Sequence, residues 1–131
     1  KGSGITKPKD LEGRKIGSPE GNAVKIIFPA FAQANGVDQD KVQWVNMTPD
    51  AVAPSLLVGR VDGGGFYATE IPTVRAGAKK AGKDIDVIYY SKFGIDVYSN
   101  ALITTDKMIR EKPDLVRRFL DATMRGVAWG G

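Results

Sequence analysis

The chain has 131 residues, with 19 Lys and Arg against 15 Asp and Glu, a formal charge of +4, and neither His nor Cys. The two absences exclude a Ser-His-Asp triad, cysteine nucleophiles, disulfides, zinc fingers and any site built on imidazole or thiolate ligands. The charge is spread evenly, 8 basic and 6 acidic residues in 1–60 and 11 and 9 in 61–131, so it is a mild excess and not a nucleic-acid-binding tail.

In chain order, Lys1 to Gly4 read as a linker, and Arg14-Lys15-Ile16-Gly17 as a short strand. Ser18 to Asn22 is a turn of small and capping residues. Apolar residues then recur at helical spacing from Ala23 to Ala34, until Asn35-Gly36 supplies a C-terminal stop. Pro29 inside that run should kink or shorten the helix. Val42 to Asn46 alternates like a strand, and Thr48-Pro49 caps and opens a helix through Leu57. Val61-Asp62 is a third strand leading into Gly63-Gly64-Gly65-Phe66-Tyr67, and Ala68 to Ala76 a short helix with Pro72 in its first turn. Val87 to Tyr90 and Val97 to Thr104 are expected as a fourth and a fifth strand. Asp114 to Trp129 is an amphipathic helix, Leu115, Phe119, Leu120 and Val127 on one side and Arg117, Arg118, Asp121 and Arg125 on the other. The longest apolar run, Ile26 to Ala32, contains Pro29 and falls far short of the roughly 18 residues that span a membrane.

Strands alternating with helices at these lengths predict an α/β fold, a three-layer sandwich with a mostly parallel central sheet of about five strands. Ligands in such a sheet sit beyond the carboxyl ends of the strands. The strand-exit loops are therefore the places to search: Ser18 to Asn22, Asn46 to Thr48, Gly63 to Glu70 and Ser91 to Tyr98. The first begins a helix, where free N–H groups favour an anion or a polar edge, although plain capping explains it as well. Three glycines before Phe66 and Tyr67 allow a close backbone approach, with rings that could stack on a flat ligand; a softened turn whose aromatics plug the core is the alternative. Neighbouring residues in an extended segment face opposite sides, so both rings in the core is the weaker option. Glu20, Glu70 and Asp96 are the only acids placed for a cleft, and their spacing singles out no catalytic pair. Neither a Walker loop nor a GxGxxG fingerprint is present.

Taken together, the segments resemble a known family. Ile5 to Gly17 is similar to the "I-x-x-P-x-D-L-x-G-K-x-I-G" entry to the second lobe of type II periplasmic solute-binding proteins. Leu56 to Asp62 resembles their "L-x-x-G-x-V-D-A" signature, here ending in Val61-Asp62-Gly63. Phe66 to Glu70 is similar to the "F-Y-x-x-E" segment of the NMT1/THI5-like branch, which includes thiamine-precursor, sulfonate and nitrate binders. Lys112 to Thr123 resembles the family's "P-x-L-V-x-R-F-L-x-A" helix.

The resemblance implies a single α/β lobe over residues 5–129, one half of a two-lobed protein that closes on a small organic solute and presents it to the membrane subunits of an ABC importer. Carried onto this chain, it makes Ser18, Glu20, Gly21 and Asn22 the helix-start loop facing the cleft, with Asn46 and Thr48 as flanking polar contacts. Phe66, Tyr67 and Glu70 become the ring platform and polar hook, with Asp96 and Tyr98 near the hinge return. It further implies no catalysis, no metal or cofactor, no nucleic acid, and a periplasmic or lipid-anchored extracellular parent protein. The missing first lobe is then a partner. An isolated lobe should bind weakly, and its exposed surface offers a route to a homodimer. Two rivals share the fold: the effector domain of LysR-type regulators, for which no helix-turn-helix is seen here, and pyrimidine-synthase-like enzymes, which use the His and Cys this chain lacks.

Overall fold

The computed structural model describes residues 4–97 and 101–130. The chain forms two compact units, Lys1–Val97 and Tyr98–Gly131, taken in turn below.

The first unit is built on a parallel sheet of three strands in the order β2-β1-β3: β1 Lys15–Ser18, β2 Gln43–Asn46 and β3 Gly63–Gly64. Ile16 is registered with Trp44 on one side and with Gly63 on the other. Parallel pairing requires crossovers, and helices supply them. α1 (Ala23–Ala34) links β1 to β2, α2 (Pro49–Leu57) links β2 to β3, and α3 (Ile71–Lys80) follows a single 3-10 turn at Ala68–Glu70.

The chemistry of these boundaries is local. Asn22 caps α1 by accepting the Val24 N–H at 2.8 Å, and Gly36 ends it with φ +63°, the left-handed conformation that glycine adopts without strain. α1 runs through Pro29 to Ala34 without being shortened; Pro29 is exposed, so its ring burdens no packed neighbour. Pro49 and Pro72 occupy first turns, where a missing N–H costs nothing.

Residues ahead of the sheet are tied down by carboxylates. Asp10 Oδ2 accepts from the Thr6 and Lys7 N–H groups at 2.9 and 3.1 Å and from the Thr6 hydroxyl at 3.0 Å. Glu12 Oε1 accepts from Lys9 Nζ at 2.7 Å and from the Asp38 N–H at 2.6 Å. Asp62 exchanges two bonds with Lys15, its carboxylate accepting the Lys15 N–H and its own N–H donating to the Lys15 carbonyl. Asp62 thus holds the start of β1, while Asp10 and Glu12 brace the segment that leads into it.

Helices cover both faces of the sheet. On the Ile16 face, α1 lays down Phe28, Phe31 and Ala32, and this core is closed by Val37, Val42 and, more peripherally, Trp44, Ile88, Tyr90 and Phe93. Phe31 is fully buried and stacks on Tyr90 with ring centroids 4.2 Å apart; Phe28 meets Trp44 edge-on at 5.1 Å. On the opposite face, Gly17 lies against Met47 and Val61, and Gly64 against Val52 of α2. α3 buries Ile71, Val74 and Ala78, and its Gly77 sits beside Leu57 of α2.

Three strand expectations are corrected. The third strand is Gly63–Gly64 and not Val61-Asp62, because register is set by which backbone groups meet β1, and Asp62 is engaged at the β1 entrance instead. Val87–Tyr90 is no strand: Tyr90 opens a 3-10 turn through Phe93, and the apolar side chains of this segment dock on the α1 core without a backbone ladder. The described sheet therefore has three strands. Of the expected fifth, Val97 and Ala101–Thr104 form no strand and residues 98–100 lie outside the described residues.

The second unit contains α4 (Asp106–Glu111), capped by Thr105 through the Met108 N–H, and α5 (Pro113–Gly130). α5 matches the amphipathic helix expected from the pattern, whereas α4 was not anticipated. None of the described α5 side chains is buried; Phe119 and Trp129 are 59% and 91% exposed. Among the described residues, no helix is long and apolar enough to cross a membrane.

Candidate functional site

Because β1, β2 and β3 are parallel, their carboxyl ends open on one side of the sheet, and the segments that leave them meet there. They line an open cleft of about 240 Å³. The β1 exit contributes Pro19, Glu20, Gly21 and Asn22; the first turn of α2, just after β2, contributes Pro49 and Val52; the β3 exit contributes Gly65, Phe66, Tyr67 and Glu70.

Gly21 makes the first loop turn, with φ +71° and open space where a Cβ would stand. Glu20 follows Pro19 and is exposed, its Oε2 accepting from Asn46 Nδ2 at 2.9 Å. That bond joins the ends of neighbouring strands β1 and β2 across the rim. Asn22 spends its side-chain oxygen on the α1 cap.

The β3 exit is built differently. A Cβ on Gly63 would stand 2.8 Å from Ile16 Cδ1; one on Gly64 would stand 2.6 Å from the Phe66 ring and 2.8 Å from Val52 Cγ1; one on Gly65 would stand 3.2 Å from Ser18 Oγ. What approaches the glycine run closely is the protein's own side chains. Phe66 folds back over Gly64 and is half-buried, while Tyr67 next to it is 46% exposed. One ring is thus anchored and the other presented. Glu70 Oε2 accepts the Tyr67 N–H at 2.6 Å, which fixes the start of the 3-10 turn and keeps the carboxylate at the cleft.

Of the residues singled out in the sequence, Glu20, Gly21, Asn22, Phe66, Tyr67 and Glu70 surround this cleft, and Asn46 supports it through Glu20. Ser18 is 2% exposed and lies beneath it, beside Gly65. Thr48 is turned to Asp50, whose carboxyl it holds below the usual carboxylate range by a side-chain hydrogen bond. Asp96 is exposed, follows the 3-10 turn at Tyr90–Phe93, and is not among the cleft's walls. Tyr98 lies outside the described residues. Pro49 and Val52 were not foreseen as walls, although three-residue spacing at the start of a helix puts them on one face. Among the described residues there is no cluster of three or more potential metal ligands.

The NMT1/THI5-like family profile matches residues 1–130. The chain belongs to the NMT1/THI5-like family. Similar proteins that carry the provisional name of binding protein occur in Brucella abortus, Brucella suis and Brucella melitensis, each 25% identical over 118 residues. That match takes in 89% of this chain but only 36% of each relative. The chain therefore spans about a third of the length of the curated relatives it matches.

Proposed function

We propose that the chain is a non-catalytic solute-binding lobe, part of a two-lobed binding protein that works outside the cytoplasmic membrane and delivers a small organic molecule to an ABC importer. The observation that carries this reading is the convergence of three parallel strand exits on one cleft whose walls mix an exposed ring with two carboxylates, in a chain of the NMT1/THI5-like family. Selection in such a cleft comes from ring contact and a few charge-assisted hydrogen bonds, with no bond made or broken. Glu20, Gly21 and Asn22 form one wall, Phe66, Tyr67 and Glu70 the other, and Asn46 orients Glu20. Ser18 and Thr48 are assigned supporting roles around that centre, Asp96 and Tyr98 a role near the hinge return, and the opposite half of the solute's surroundings belongs to the first lobe.

The test is mass spectrometry of solute co-purifying with the protein, followed by titration of that solute against Phe66→Ala and Tyr67→Ala. Loss of ligand-induced thermal stabilisation in Tyr67→Ala is the expected result. Unchanged affinity in both variants, or conversion of the solute to a product, overturns the reading.

A further inference from the structure

The sign of the charge this cleft accepts follows from which hydrogen-bonding groups its walls leave unused. An anion at the start of a helix is held by N–H groups of the first turn. Here most of those donors are consumed or missing. The Val24 N–H of α1 is bonded to Asn22 Oδ1. Pro49 in α2 and Pro72 in α3 have no N–H to offer, the Ala51 N–H in α2 is bonded to the Thr48 carbonyl, and the Lys25 and Ile26 N–H groups of α1 are bonded to the Asn22 carbonyl.

The acceptors are in the opposite condition. Glu20 and Glu70 each commit Oε2 to a neutral donor, Asn46 Nδ2 and the Tyr67 N–H, and each keeps Oε1 without a hydrogen-bond partner among the described residues. The cleft is lined by no Lys or Arg, and the carboxylates of Glu20 and Glu70 are the charged groups on its walls. Beside them stands the half-exposed face of Tyr67, an electron-rich surface that attracts cations.

Resting on the solute-binding reading above, we propose that the solute taken by this lobe is a small organic cation. An ammonium or amidinium group on a planar body gives its N–H donors to Glu20 and Glu70 and lays its face against Tyr67. Sulfonates, carboxylates and other anions are excluded by the same two carboxylates.

Three probes with one ring and three charges decide it: benzamidine, benzamide and benzenesulfonate, each titrated into the ¹⁵N-labelled 131-residue chain and followed by amide chemical shifts, which register millimolar binding. Benzamidine is expected to move the amides of Gly21, Asn22, Gly65 and Phe66, and benzenesulfonate to leave them in place. Glu20→Gln and Glu70→Gln are each expected to weaken benzamidine about tenfold, the loss of one charge-assisted hydrogen bond, with the remaining spectrum unchanged. Benzenesulfonate or benzamide binding at those amides as well as or better than benzamidine overturns the cation assignment and leaves the solute-binding reading standing. Benzamidine binding indifferent to both variants also overturns it. If no probe moves these amides, the assignment and the chain's own capacity to bind such a solute fail together.

Discussion

The two faces of the sheet in the first unit are packed by opposite means. On the Ile16 face, α1 and the segment around Tyr90 fill the space with large rings, Phe28, Phe31, Trp44, Tyr90 and Phe93. On the Gly64 face, close packing is achieved by leaving side chains out, so that Val52 and Phe66 rest on bare backbone. The two arrangements respond to mutation in opposite directions. The ring face is vulnerable to loss of volume and the glycine face to its gain. The difference also explains where the cleft lies: on the glycine face the Phe66 ring can turn back onto the sheet, and that leaves Tyr67 at the rim.

The largest effect is expected from Phe31→Ala, which empties the centre of the ring face and should cost about 3–5 kcal/mol in urea unfolding. A smaller loss would mean that Tyr90 and Phe93 collapse into the gap. Next comes Gly64→Ala, whose single added methyl meets both Val52 and Phe66 and should cost about 1–3 kcal/mol by overpacking. A neutral Gly64→Ala would break the contrast between the faces, because it would show that the glycine face has room to spare.

Tyr90→Phe keeps the stacking on Phe31 and removes only the hydroxyl's hydrogen bond to the Val24 carbonyl. A loss of about 1 kcal/mol is expected. In the wild-type protein, burial holds the Tyr90 hydroxyl above the ordinary tyrosine range, so it should stay un-ionised in an alkaline spectrophotometric titration that ionises exposed tyrosines.

The smallest effect belongs to neither face but to the acidic clips ahead of and around β1. Hydrogen bonds from the Thr6 N–H to Asp10, from Lys9 to Glu12 and from Lys41 to Asp38 hold these carboxyls below their usual range. A carboxyl depressed by folding stabilises the folded state above its unfolded pKa, and that contribution fades as pH falls through the folded value. Lys41, raised by Asp38, behaves in the opposite sense, its contribution fading as pH rises through its folded value. The melting temperature should therefore fall modestly on acidification below about pH 4. Asp38→Asn should shrink that dependence while leaving unfolding at neutral pH nearly unchanged, since the Asp38–Lys41 pair is exposed.

The elements most legible in the sequence are those whose ends carry their own chemistry. α1 is framed by Asn22 and Gly36, α2 by Thr48-Pro49, and α3 is marked by Pro72; each of these signals acts within a few residues. Strand pairing acts at long range, which is why Val61-Asp62 outranks Gly63-Gly64 by side-chain preference and yet Gly63-Gly64 pairs with β1. Val87–Tyr90 carries the composition of a buried strand for a different reason: Ile88 and Tyr90 are needed to close the α1 core. At the cleft, the rule that ligands sit beyond strand ends points to the loops after β1 and β3 that line it, and also to the Ser91 to Tyr98 loop, which contributes no described wall residue. The purpose of the glycine run is not legible, because the atoms occupying its missing Cβ positions come from Ile16, Val52 and Ser18, distant in sequence, as well as from neighbouring Phe66.

The order β2-β1-β3 has a consequence for how the chain is made. Of its three strands, the one that leaves the ribosome first is the middle one, and it carries two open edges until residues 43–46 and then 63–64 have followed it. The contacts that complete the unit reach farther still: Asp62 to Lys15 spans 47 residues, Asn35 to Phe93 spans 58, and Tyr90 to Val24 spans 66. Closing such loops costs only slowly growing entropy but delays folding. During synthesis, β1 is therefore a strand waiting for partners, and the cleft at its end comes into existence only once the β3 exit, through Glu70, has been translated.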